Sequence, residues 1–194
     1  KNKKEILPGL DDFLLHIKIN NYSTETLYNY ERDLHVFRRF LSGDAGIDFN
    51  QITKKTLELY KAYLTSRDRK TAAGSVNKGQ LSAGSLNRIL SSLRRYFKYL
   101  IEMDYEVPVP PEAIKLIKMP KKHPRIAEFE IMVNLIESPT DMEKIPEVAL
   151  RNRAILETLF ATGMRISELV SLNRSQIDRS GRIFIHGKGR KERF

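Results

Sequence analysis

The sequence contains no cysteine. That absence excludes a disulfide scaffold, a thiolate-ligated zinc site and a thiol nucleophile. No apolar run approaches the ~18 residues that a membrane span needs, because charges interrupt every candidate. No signal pattern opens the chain, which begins at Lys1 rather than Met and so reads as starting inside a longer frame. Acidic residues are in deficit: 24 Asp and Glu face 34 Lys and Arg, for a net charge of +10. Tyrosine is missing from everything after Tyr105.

What is present describes a folded, basic protein. Of the 194 residues, 41% are apolar and 30% charged, a balance that can build a core and is unlike a disordered tail. The length suits one large domain or two small ones. The expected class is a cytosolic, non-membrane protein with a polyanionic partner, nucleic acid being the natural one.

Proline marks the division. Five of the eight prolines are Pro108, Pro110, Pro111, Pro120 and Pro124, with Lys118, Lys121 and Lys122 among them. Proline fixes φ and removes a backbone donor, so this stretch predicts an extended connector. The expected organisation is a helical domain over 1–105, a linker over 106–124 and a second domain over 125–194. Each half carries a basic excess, so one partner is expected to touch both.

The first half reads as helices. Leu10–Ile19 starts the set. Ser23 is a good N-cap, with Glu25 in the favourable first turn and Tyr22 and Leu27 spaced as a hydrophobic staple. Leu27, Tyr30, Leu34, Phe37 and Leu41 follow at helical spacing. A second helix is predicted over Thr53–Ser66 with Leu57, Tyr60 and Leu64 on one face. Arg67 to Gly84 reads as a connector. The best-patterned helix spans Ser85–Glu102, its stripe being Leu86, Ile89, Leu90, Leu93, Phe97, Leu100 and Ile101. A four-helix bundle follows. The second half predicts helices over Glu128–Glu137 and Glu147–Ala161, a break at Gly163, a short helix over Arg165–Leu172, and a β-hairpin from Arg182 through Gly187-Lys188-Gly189 and back from Lys191. The fold class is thus mainly α with a small β-hairpin.

Three constellations carry chemistry. On the Ser85 helix, Asn87, Ser91, Arg94 and Lys98 form a polar stripe flanked by Arg88 and Arg95, with no acidic residue before Ile101. Such a face suits the major groove, with cations for phosphates and amide or guanidinium groups for base edges. A plain solvated face is the alternative. The loop Arg67–Lys70 and Lys78 could add phosphate contacts. Arg165 follows a glycine at a helix start, where free N–H groups favour anions and a planar fork can grip two phosphate oxygens. Glu168, three residues on, could orient it; an ordinary surface ion pair is the alternative. Lys188 sits at the hairpin tip between two glycines, able to swing into a site as a proton donor, and Arg190, Lys191 and Arg193 continue the charge.

The run Ala161-Thr-Gly-Met-Arg-Ile-Ser-Glu-Leu169, followed by His186-Gly-Lys-Gly-Arg-Lys-Glu-Arg193, resembles the tyrosine recombinase (phage integrase) family, in particular its Xer-like members. In the first half, Ser23-Thr-Glu-Thr-Leu-Tyr-Asn-Tyr30 and Asn87-Arg-Ile-Leu-Ser-Ser-Leu-Arg-Arg-Tyr-Phe97 resemble the family's SAM-like core-binding domain. The resemblance implies a four-helix domain and the first part of an α+β catalytic domain, closing on duplex DNA as a C-shaped clamp. It implies four protomers on two recombination sites, a tyrosine attacking the scissile phosphate to give a 3′-phosphotyrosyl link, and exchange through a Holliday junction without metal, ATP or other cofactor. Arg165 matches the first catalytic arginine, Lys188 the hairpin lysine that protonates the leaving 5′-oxygen, and Glu168 the supporting acid. The family's His-x-x-Arg motif, its later His or Trp and its tyrosine nucleophile do not occur after the hairpin. The expectation is therefore a truncated recombinase that binds DNA but cannot cleave it. The rivals are a non-catalytic DNA-binding protein that keeps the fold, and an RNA-binding or ribosome-associated basic protein.

Overall fold

The computed structural model describes residues 6–66, 80–119, 123–124, 126–187 and 191–193, with backbone alone from 186 onward. The described residues are mostly helical. They divide into two compact units, Lys1–Lys121 and Lys122–Phe194.

The first unit is built from α1 (Leu10–Ile19), α2 (Thr24–Arg39), α3 (Lys54–Thr65) and α4 (Ala83–Glu102). The caps explain the starts. The Thr26 amide donates to Ser23 Oγ at 3.2 Å, and Thr53 and Thr56 exchange amide-to-hydroxyl bonds of 3.1 and 3.2 Å. Each satisfies donors that a helix start leaves open. α4 begins before Ser85, because Ser82 lies extended and accepts from the Ser85 amide at 3.2 Å. α2 runs on into a π-helical turn, Phe40–Ala45, which ends at left-handed Gly46.

One core joins these helices. Phe13, Phe37, Tyr60, Tyr96 and Phe97 lie at its centre and meet edge-to-face, Phe37 and Tyr60 with ring centroids 4.8 Å apart. The predicted stripe of α4 is buried except for Ile101, which is exposed in the last turn; Tyr96 and Tyr99 fill the core there instead. The first part of the proline-rich stretch departs from the extended connector expected for it. Val109 and Ile114 are buried in the helical core, and a 3₁₀ turn forms at Pro111–Ala113. Burial of these apolar side chains outweighs the local preference for an open spacer.

The second unit has α5 (Phe129–Met142), α6 (Pro146–Thr162) and α7 (Ile166–Val170), then the antiparallel strands β1 (Ile185–Gly187) and β2 (Lys191–Arg193). α5 runs past its expected end, through Pro139. Proline there leaves a carbonyl one turn back without its usual donor, and Ser138 Oγ donates to Leu135 O at 2.8 Å in its place. α7 is shorter than expected at one turn and a half, because the Leu172 amide already bonds to Leu169 and Asn173 opens a 3₁₀ turn over Arg174–Gln176. In β1–β2, Gly187 pairs with Lys191.

Candidate DNA-binding and catalytic site

The Arg165 site is assembled by its own short sequence. α6 ends at Gly163, whose φ of +60° is a conformation that L side chains rarely adopt. Thr158 and Thr162 turn their hydroxyls back onto the helix, at 2.7 Å to Ala154 O and 2.6 Å to Thr158 O. Met164 is then buried and pins the turn, which leaves Arg165 directed outward. Glu168 holds it at two points: Oε2 accepts the Arg165 backbone N–H at 2.7 Å, and Oε1 accepts Nη1 at 2.8 Å.

The two partners differ in exposure. The Arg165 side chain is 57% exposed and that of Glu168 only 8%. A carboxylate that sheltered is a fixed base for a guanidinium whose remaining donors face solvent. An exposed ion pair is worth about 0–1 kcal/mol to stability, so the value of this one lies in orientation. α7 is too short to supply the helix-end potential expected from the sequence; the arginine is the source of positive charge here.

β1 runs beside α7, and Ile185 and Glu168 line the same depression with Ser171, Asn173 and Gln176. Gln176 ties β1 to the 3₁₀ turn: its Nε2 donates to Phe184 O at 2.9 Å and its own carbonyl accepts the Phe184 amide at 2.9 Å. The turn before it is closed by Asp178, which accepts from Ser180 Oγ at 2.7 Å and from the Arg182 amide at 3.0 Å. These bonds, Ser180 first, lower its carboxyl to about 2. Lys188 and Arg190 lie outside the described residues, and Lys191 is described only as the backbone of β2.

The polar stripe of α4 divides. Asn87 and Arg94 are turned onto the polypeptide. Asn87 Nδ2 donates to Ile117 O at 2.8 Å while its Oδ1 accepts the Ile117 amide at 2.7 Å, and Arg94 Nη2 donates to Ile114 O. Both therefore act as a clamp on the segment after α4, in place of the outward base-reading posture expected from spacing alone. Arg95 and Lys98 share Glu102, at 3.3 and 3.9 Å. Ser91 and Lys98 are exposed. Arg88 bonds to Asp33, a residue the sequence reading passed over. A signal was available: Asp33 stands between Tyr30 and Phe37 on the apolar face of its helix, where a carboxylate needs a reason.

The sequence comparisons agree with this division into two units. Residues 10–103 match the phage integrase N-terminal SAM-like domain, and residues 132–194 match the phage integrase family. Tyrosine recombinase XerC of Xanthomonas axonopodis pv. citri is 32% identical over 193 residues, which cover 97% of this chain and 60% of that protein. Tyrosine recombinase XerC of Lactobacillus delbrueckii subsp. bulgaricus is 32% identical over 187 residues, 95% of this chain and 58% of its own length. A crystal structure of XerA recombinase matches with a TM-score of 0.40 at 24% identity, over 97% of this chain and 58% of that one. The chain thus spans about 60% of the length of the curated relatives it matches. With both integrase domains represented in order, and with XerC relatives aligned along nearly all of it, the chain belongs to the phage integrase family of tyrosine recombinases.

Proposed function

We propose that this chain is the DNA-gripping and phosphate-orienting portion of a site-specific recombinase. The helical unit, the segment after α4 and the second unit correspond to a core-binding domain, a connector and the start of a catalytic domain. The substrate is duplex DNA. Breakage and rejoining run through a 3′-phosphotyrosyl intermediate and a Holliday junction, with four protomers assembled on two sites.

The observation that carries this reading is the two-point hold of Glu168 on Arg165. In phosphoryl transfer, charge builds on the non-bridging oxygens, and a guanidinium fixed beforehand stabilises it without reorganising. Glu168 supplies the fixing and Arg165 the charge. Lys188, which the sequence places between β1 and β2, is the proposed general acid for the leaving 5′-oxygen. Arg88, Ser91, Arg95 and Lys98 are the proposed DNA-facing residues of α4, with Arg190 and Lys191 adding backbone contacts.

These 194 residues bind but do not cut. The eight tyrosines fall between Tyr22 and Tyr105, and Tyr60, Tyr96 and Tyr99 are buried in the helical core. Residues 122–194, the unit that carries Arg165, contain no tyrosine, so the reading assigns no nucleophile within it.

The test is fluorescence anisotropy on a labelled 30-base-pair duplex over a salt series. Affinity is expected to fall steeply with salt as counterions are released. Equal competition by an RNA duplex of the same sequence would favour the RNA-binding alternative. A nicked suicide duplex is expected to give no covalent adduct, and an adduct would overturn the division between binding and cutting.

A further inference from the structure

Asp33 is 2% exposed. A carboxylate so far from water has to be compensated by donors. Its Oδ2 accepts from Arg88 Nη1 and, at 2.8 Å, from Ser92 Oγ. Its Oδ1 faces Arg32 Nε at 3.7 Å. Two arginines, one from α2 and one from α4, therefore converge on one buried anion.

Neither arginine is itself buried. Their side chains are 38% and 39% exposed. Arg32 is braced further: Nη2 donates to Asn29 Oδ1 at 2.7 Å, and the guanidinium lies 5.5 Å from the Tyr28 ring centroid. Asn29 is in turn tied to the Glu25 carbonyl at 2.8 Å and to its carboxylate at 3.0 Å. Beside them, Thr26, Asn29, Tyr30, Arg88, Ser91 and Ser92 line an open groove between α2 and α4. Its walls offer hydroxyls, an amide and a guanidinium. Burial pushes the Tyr30 phenol up, so it stays a neutral donor.

We propose that this groove, with Arg88 in its wall and Arg32 held beside it on Asn29, is a phosphodiester cradle, in which the buried carboxylate of Asp33 sets the two guanidinium groups against the DNA backbone. The proposal rests on the duplex-binding reading above and goes beyond it by naming Asp33 as a positioning residue. Both arginine side chains stay more than a third exposed while Asp33 anchors them, which leaves outer donors for a phosphodiester. Stability alone does not call for the arrangement, because a buried ion pair is often no more stabilising than apolar residues of the same volume.

The test turns on sign. Asp33→Asn removes a negative charge, so overall electrostatics predicts tighter binding of the 30-base-pair duplex. Positioning predicts weaker binding, on the order of fivefold, with a salt slope about one unit shallower. Asp44→Asn makes the same charge change at an exposed position and should bind as tightly as the parent or tighter. Arg32→Ala combined with Arg88→Ala should weaken binding, and adding Asp33→Asn to that pair should weaken it no further. Circular dichroism and melting establish that each variant is folded. If Asp33→Asn does not fold, Ser92→Ala takes its place, with an expected loss of about twofold. A parent chain that fails to bind the duplex would sink the functional reading itself. A parent that binds, with a folded Asp33 variant equally tight or tighter, would overturn the cradle alone. A further loss when Asp33→Asn is added to the variant lacking both arginines, or a Ser92→Ala that changes nothing, would also overturn it.

Discussion

The two units are stabilised to very different degrees. The helical unit closes around one continuous core running from Leu7 to Ile114, with five aromatic side chains at its centre. In the second unit, the buried apolar residues among those described are Pro139, Ala149, Met164 and Ile185, while Ile126, Phe129, Leu150 and Val170 are at least 70% exposed. Burial of apolar surface is the main favourable term in folding, so the first unit carries its own stability and the second carries little. The site around Arg165 is accordingly held together by short-range bonds: a left-handed glycine, an i,i+3 carboxylate and an aspartate-closed turn.

The largest expected effect comes from separating the units. Residues 1–121 alone should unfold cooperatively near the transition of the whole chain, and residues 122–194 alone should show no cooperative transition by calorimetry. A sharp melt from the second piece would break the comparison. Point substitutions sharpen it. Phe97→Ala, at the centre of the helical core, should cost about 3–5 kcal/mol in denaturant unfolding, and Leu150→Ala in the second unit should stay within about 0.5 kcal/mol. The Asn87 clamp comes next. Asn87→Ala leaves the Ile117 amide and carbonyl without their partners, at about 1–3 kcal/mol. It should speed limited proteolysis near Ile117 while leaving sites within α2 and α3 protected. The smallest effect is at Asp178. Its depressed pKa means the 178–182 turn gains stability above the ordinary carboxylate range and loses it as pH falls through about 2. Carboxyl NMR should therefore show the Asp178 midpoint below those of exposed aspartates, and a midpoint near 4 would remove the turn from the account.

Local features were legible in the sequence, and long-range ones were not. The Ser23 and Thr53 caps, the apolar stripe of α4, the break at Gly163 and the approach of Glu168 to Arg165 all depend on residues within a few positions of one another. Asn87 and Arg94 were misleading for the opposite reason. A polar residue at helical spacing looks the same whether it faces solvent or a backbone segment 20 to 30 residues away, and only the fold brings Ile114 and Ile117 to them. The start of α4 was hidden because Ser82 sits among small polar residues that also suit a loop. The role of Asp33 needed two helices to be seen together. The catalytic pairing of Arg165 with Lys188 rests on the family resemblance, since the second residue lies outside the described part of the hairpin.

The Asn87 clamp also accounts for where imino acids are permitted along the connector. Ala113, Ile114, Lys115 and Ile117 each need an N–H: three donate to nearby carbonyls and the fourth to Asn87. The ring residues fall on either side of that run, at Pro108, Pro110 and Pro111 before it and at Pro120 and Pro124 after it. The stretch alternates between places that must give a hydrogen and places that need not. A redesign that stiffened it by adding proline at 117 would release the strap it was meant to tighten.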